Sequence, residues 1–254
     1  VSEHVARPAV VVQARMRAYR LPGKTLADVG GRPVLDWLLE RLALVQHPHR
    51  LIVAASVSPE DDPVAEVASR RHVACFRGSE DDVLARYAGL VEMYAPPFLA
   101  FLGADQPLVD PADVDRVLAA FRDPGVQYVR TYGQPYGIHL WGVSGGSVRL
   151  AARSARSREE REHMGAWWDH HPDLVPCRVL SSTPDLSEIR LTIDHPADLE
   201  LHRKILGSLR SRWPNVTTAD IIEVLGRHPD WTDETRKIAQ WRWEGFDATV
   251  KGDQ

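Results

Sequence analysis

Two groups of charged residues have the types and spacing of a phosphate-handling site. The first is QARMRAYRLPGK (13–24), which sets Arg15, Arg17, Arg20 and Lys24 within one short segment and breaks regular structure at Pro22-Gly23. It follows directly on an apolar run, AVVVQ (9–13). A basic, glycine-containing loop at the carboxyl end of a sheet strand can wrap a triphosphate with backbone N–H groups and cations. The G-x-x-x-x-G-K-[ST] spacing of a P-loop and the G-x-G-x-x-G of a dinucleotide fold are both absent, and the segment alone also reads as a solvated basic turn. The second group is a pair of aspartates. Asp105 follows FLAFLGA (98–104) and Asp194 follows RLTI (190–193), so both are expected to project from the same sheet edge. Mg²⁺ takes one or two carboxylates together with phosphate oxygens and water. The local alternatives are a turn residue before Gln106-Pro107 and a helix-start residue before His195-Pro196.

Bringing these groups together requires a sheet. AVVVQ (9–13), RLIVAAS (50–56), FLAFLGA (98–104) and VQYVRT (126–131) read as strands, and their unbroken apolar character predicts burial on both faces. Helical stripes lie between them at 33–46, 80–94 and 110–122, the last with Asp110-Pro111 as its start signal. Strand–helix alternation predicts an α/β fold: a mostly parallel, Rossmann-like sheet with helices on both faces and its ligand cleft at the carboxyl edge. Further on, 135–148 reads as a strand entering a glycine-rich turn and 157–174 as one charged helix carrying Trp167 and Trp168. RLTI reads as a short strand followed by a helix from Pro196, and 217–231 as another helix. The chain divides into a domain over 1–230, with 133–190 as an inserted acceptor and dimerisation region, and a tail over 231–254.

Bulk properties narrow the partners. The 254 residues are 44% hydrophobic and 26% charged, with a net charge of −4. That balance is globular and argues against nucleic acid as the main partner. No apolar run approaches the ~18 residues of a membrane span, and the N-terminal segment does not read as a secretory signal. Cys75 and Cys177 have no metal-type spacing and read as small packed side chains in a reducing cytoplasm.

The segment Q-A-R-M-x-x-x-R-L-P-G-K-x-L (13–26) resembles the opening of the spore coat polysaccharide biosynthesis cytidylyltransferases, which are similar to the CMP-Kdo and CMP-sialate synthetases. FRGSEDDVLARY (76–87), GADQPLVDP (103–111), EREHM (160–164) and RLTIDHPADLEL (190–201) follow in the family's order. The resemblance implies a single nucleotidyltransferase domain that uses CTP and Mg²⁺ to put CMP on a small sugar-type acceptor. Separately, the 133–190 region carries aromatic and apolar residues in excess of what its short elements can bury, which predicts a homodimer contact there. The resemblance implies that Arg15 and Lys24 bind the CTP phosphates with help from Arg20, and that the backbone at Ala14 approaches the ribose and base. It also implies that Asp105 and Asp194 hold Mg²⁺, and that Arg77, Gly78, Ser79 and Asp82 line the base pocket. Cations at the α- and β-phosphates suit a transfer that builds negative charge there as pyrophosphate leaves.

The acceptor side departs from the family. His139 and Trp141 stand where a G-L-D-V-E-V-F stretch has two acids, which predicts a less acidic, more aromatic pocket. His139, Arg161 and His163 are the expected acceptor contacts. The change keeps open a non-sugar acceptor such as a cyclitol phosphate, a phosphonate or another small acid. A non-catalytic nucleotide-binding subunit would be expected to have lost Arg15, Lys24, Asp105 or Asp194, and all four are present. The sequence therefore makes one decisive spatial prediction: residues 14–24 must lie beside Asp105 and Asp194, and a fold that separates them overturns the assignment.

Overall fold

The computed structural model describes residues 7–240. Its centre is a seven-stranded sheet. The strands are β1 (Ala9–Gln13), β4 (Arg50–Ser56), β5 (Ala74–Gly78), β6 (Phe98–Gly103), β7 (Tyr128–Tyr132), β8 (Trp141–Ser144) and β9 (Cys177–Ser181), in the spatial order β5–β4–β1–β6–β8–β7–β9. Only β8 runs antiparallel to its neighbours, β6 and β7. A two-stranded ribbon, β2 (Asp28–Val29) and β3 (Arg32–Pro33), stands apart.

Alternate residues of β1 enter different cores, which is why its sequence is apolar without interruption. Val10 and Val12 pack with α1 (Val34–Leu42), α2 (Asp62–Arg70) and α4 (Pro111–Ala120). Ala9 and Val11 face α3 (Val83–Tyr94), α5 (Gly145–Ser154) and α7 (Ala166–His170). A third cluster joins α8 (Pro196–Leu209) and α9 (Thr218–Arg227) to Leu108, Leu191 and Ile193, bracing the two segments that carry Asp105 and Asp194. Residues 231–240 continue this packing: Thr232 and Thr235 are buried, and Trp231 stacks on His228 at 4.2 Å. Trp241, Trp243 and the rest of the tail lie outside the described residues.

Several expected elements change form. RLTI makes no strand. It pairs at a single bridge, Tyr136 to Arg190, where Tyr136 N–H donates to Ile189 C=O and Leu191 N–H to Tyr136 C=O at 2.7 Å each; beyond that bridge Ile193 N–H turns to Asp105 C=O. The glycine-rich turn after β8 is the first turn of α5, where the Ser144 side chain accepts a hydrogen bond from Ser147 N–H. The charged helix of 157–174 is two short ones, α6 (Arg158–Glu162) and α7. Gly165, at φ +106°, takes a conformation that breaks the helix between them. Trp167 and Trp168 are core residues, with the Trp168 indole N–H donating to Ser147 Oγ at 2.6 Å.

Inside that core, α7 is tied to β7 by ionic chemistry. Asp169 accepts from Tyr128 Oη at 2.9 Å and pairs with Arg130 at 3.1 Å, and both charged side chains are essentially inaccessible. Removing one member of a buried pair strands the other. Asp169→Ala should cost about 3–5 kcal/mol of folding stability, read as a fall in the urea midpoint. A loss below about 1 kcal/mol would mean that the pair does not hold α7 in place.

Candidate active site

The register of β1 against β6 sets Gln13 opposite Gly103, so the loops that follow the two strands begin side by side. Ala104 N–H donates to Gln13 C=O at 2.9 Å and carries the adjacency past the sheet edge. Loop 14–24 is pinned at several points. Ala14 N–H donates to Ala54 C=O at 3.1 Å, Gly23 N–H to Met16 C=O at 2.9 Å, and Thr25 Oγ1 to Arg15 C=O at 2.8 Å. Met16 N–H donates to Asp61 Oδ1 at 2.7 Å, while Asp61 Oδ2 accepts from Ser56 N–H at 2.8 Å. Asp61 is buried, so a single carboxylate staples the basic loop to the end of β4.

Asp194 is brought to Asp105 through the backbone. Ile193 N–H donates to Asp105 C=O at 3.1 Å. Asp198, in the first turn of α8, accepts from Asp194 N–H and His195 N–H at 2.9 Å each and takes a bidentate pair from Arg190 at 2.8 and 2.9 Å. Gly103 leaves room for the Asp105 carboxylate: a Cβ there would fall 2.3 Å from Asp105 Oδ1 and push that side chain from its place.

The result is the juxtaposition the sequence predicts. Lys24 Nζ donates to Asp105 Oδ2 and, at 2.7 Å, to Asp194 Oδ1. Arg20 pairs with Asp194 Oδ2 at 2.8 Å. Burial alone would lower the Lys24 pKa, but Asp105 and Asp194 outweigh it and raise it. Burial would raise the Asp194 pKa, and Lys24 with Arg20 reverses that and holds it below the usual carboxylate value. Both groups are charged at neutral pH. Arg15, Arg20, Lys24, Asp105, His163 and Asp194 line one cleft of about 430 Å³ at the carboxyl edge. Burial lowers the His163 pKa, so its imidazole is neutral there at pH 7.

Other expected site residues are engaged elsewhere. The Arg77 guanidinium turns to Ser56 C=O, to Ser58 C=O at 2.7 Å and to Asp62 at 2.9 Å, and does not line the cleft. Gly78 C=O accepts from Val57 N–H at 2.9 Å, and Ser79 C=O from Arg86 at 2.8 Å. Asp82 caps α3 through Ala85 N–H at 2.8 Å and pairs with Arg161 at 2.7 Å, so these two expected contacts spend their charge on each other. His139 is buried, edge-on to Tyr136 and Trp141, and is also absent from the cleft lining. Sequence reasoning missed Asp61, Arg190 and Asp198. Asp198 carries a legible signal, an acid at the third helical position after a first-turn proline; Asp61 carries none.

With that geometry in place, comparison with known proteins decides the family. Residues 9–205 match the family model of the cytidylyltransferases. The chain belongs to that family. It is a nucleotidyltransferase with a nucleotidyltransferase fold. Among its relatives is the spore coat polysaccharide biosynthesis protein SpsF of Bacillus subtilis (strain 168), 30% identical over 88% of this chain and 96% of that protein. The 3-deoxy-manno-octulosonate cytidylyltransferase of Tolumonas auensis is 35% identical over 42% of each chain. A cytidylyltransferase structure from Leptospira borgpetersenii serovar Hardjo-bovis superposes with a TM-score of 0.85 at 23% identity, covering 93% of this chain and 99% of that one.

In this cytidylyltransferase the Asp61 staple should matter beyond packing. Asp61→Ala leaves two amides without their acceptor, a loss of about 1–3 kcal/mol of stability. It also frees Met16, so CTP binding measured by calorimetry should weaken. Unchanged CTP affinity would show that the Met16 contact does not set the loop.

Proposed function

We propose that the enzyme transfers CMP from CTP to a small sugar-type acceptor with release of pyrophosphate, with Mg²⁺ held by Asp105 and Asp194. The observation that carries this is the meeting of a basic loop and two carboxylates at one point of the sheet edge. The donor set fits the ion: both carboxylates offer hard oxygens that converge on a single cation position, marked here by the Lys24 ammonium. When bound, the metal supplies Lewis-acid polarisation and alignment of the α-phosphate.

The chain's own residues do the rest. The acceptor hydroxyl oxygen bonds to the α-phosphorus, the bond to the β-phosphate oxygen breaks, and the hydroxyl proton leaves to solvent. Arg15, Arg20 and Lys24 neutralise the charge that builds on the departing pyrophosphate. The backbone at Ala14 and at 77–79 approaches the ribose and cytosine, since the side chains of Arg77 and Asp82 are engaged elsewhere. Neutral His163 faces the acceptor as a hydrogen-bonding partner. A non-sugar acceptor is the second reading. It is supported by the loss of the two acids at His139 and Trp141, which pack instead into an aromatic cluster with Tyr136 and Phe101 and leave the cleft of about 430 Å³ without them. Among the described residues no helix is long and apolar enough to cross a membrane. The compartment proposed is the cytoplasm.

Pyrophosphate release assayed with each of the four NTPs across an acceptor panel tests the reaction. CTP should be preferred, and equal or better use of UTP or ATP overturns the base assignment. Asp105→Asn and Asp194→Asn should each lower turnover by roughly two to three decades, the kinetic equivalent of ~3–4 kcal/mol. They should leave metal-free CTP binding nearly unchanged. Lys24→Ala should weaken CTP binding with or without metal. Near-native turnover in the two aspartate variants would return those residues to turn and helix-start roles.

A homodimer through the 133–190 region completes the proposal. Trp167 and Trp168 of that region are buried and Trp141 is half-buried, leaving Leu150 and Leu174 as its exposed large apolar residues. Light scattering at micromolar concentration should give twice the chain mass, and a monomer would remove the dimer alone.

A further inference from the structure

A single position of the Lys24 ammonium cannot serve both the carboxylates and the phosphates. Nζ donates to Asp105 Oδ2 and Asp194 Oδ1, the two groups assigned to the metal. This is no loose surface contact, since the Lys24 side chain is only 15% exposed and the aspartates 22% and 10%. The surroundings complete the balance. Arg20 sits 2.8 Å and Arg190 3.7 Å from Asp194 Oδ2, and Arg190 is paired with Asp198. Lys24, Arg20 and Arg190 thus face Asp105, Asp194 and Asp198, and the connected group carries no excess negative charge to draw in a divalent ion. A metal bonded to both carboxylates at ~2.0–2.1 Å would need the space that Nζ fills.

We propose that Lys24 is a stand-in cation. Without nucleotide its ammonium occupies the metal position between Asp105 and Asp194. A bound triphosphate draws it onto the phosphates, so the divalent ion is admitted only together with nucleotide. This rests on the CTP and metal assignments above. The chemistry suits lysine, a compact point charge on a flexible four-carbon stem that can swing between partners while the backbone stays fixed. Asp198 keeps Asp194 in place during the exchange by accepting from its backbone N–H at 2.9 Å. Because the coupling is reciprocal, the metal must raise nucleotide affinity by the same factor by which nucleotide raises metal affinity.

The test is Mn²⁺ binding, read as the loss of the free-Mn²⁺ electron paramagnetic resonance signal. It uses the full chain with and without CTP, no acceptor, and a correction for Mn²⁺–CTP measured without protein. Without nucleotide, Lys24→Met should bind Mn²⁺ at least ~10-fold more tightly than the native chain, within the usual range of coupling. Lys24→Arg, which keeps the charge, should stay as weak as the native chain. CTP should sharply tighten Mn²⁺ binding in the native chain, and Lys24→Met should lose most of that dependence. If Lys24→Met does not fold, Lys24→Gln takes its place. Native protein that binds Mn²⁺ equally well with and without CTP overturns the proposal whatever the variants do. Binding that needs CTP in the native chain and still needs it in Lys24→Met overturns the cation exchange but leaves the metal assignment standing. Absence of Mn²⁺ binding even with CTP overturns that assignment, and the exchange with it.

Discussion

Two carboxylates buried at close range repel each other unless a cation lies between them, and the rest of this structure follows from meeting that constraint. Lys24 meets it by donating to both Asp105 and Asp194. For the three side chains to reach one point, the loop after β1, the loop after β6 and the segment before α8 must share one corner of the sheet. Parallel pairing of β1 with β6 brings the first two together, and the Ile193–Asp105 backbone hydrogen bond adds the third. The apolar cores on the two faces of the sheet hold the strands that carry this corner.

Around the charged centre sits a ring of residues whose work is placement. Asp61 holds the basic loop, Asp198 and Arg190 hold Asp194, and Arg41 reaches from α1 to Val109 C=O and, at 2.9 Å, to Pro214 C=O. Burial pushes the Arg41 pKa down to about 10, still charged at any working pH. Apart from the Arg190–Asp198 ion pair, these are side-chain contacts to main-chain groups, which fix loops that the sheet ladder cannot reach. They explain how a cleft made largely of loop residues can be held in shape before any ligand binds.

Much of this was legible in the sequence because its cause is local. Unbroken apolar runs announced β1, β4 and β6, whose burial on both faces leaves no polar alternation to obscure them. Asp110-Pro111 and the threonine at 217 announced α4 and α9, and both act as caps in the structure. The basic loop and the two strand-end aspartates could be read as one site because a parallel sheet collects such ends on one edge. What stayed hidden depends on distant partners. β9 is a partly exposed edge strand of mixed character, and α2 is nine residues long. The break at Gly165 looks in sequence like any glycine within a helical pattern. Arg77, Asp82, Arg161 and His139 are all polar and suitably spaced, and only three-dimensional neighbours reveal that the first three are paired off and the last is packed among aromatic rings.

Asp105, Asp194 and loop 14–24 meet at one corner of the sheet, where the proposed cation and triphosphate positions adjoin. Crystals grown with CTP and Mn²⁺ and measured for anomalous scattering test this adjacency most directly. One anomalous peak should appear, bonded to both aspartates and to an α-phosphate oxygen, with Lys24 Nζ moved onto the phosphates. A peak away from the aspartates, or CTP bound with its phosphates outside the 14–24 loop, would contradict it.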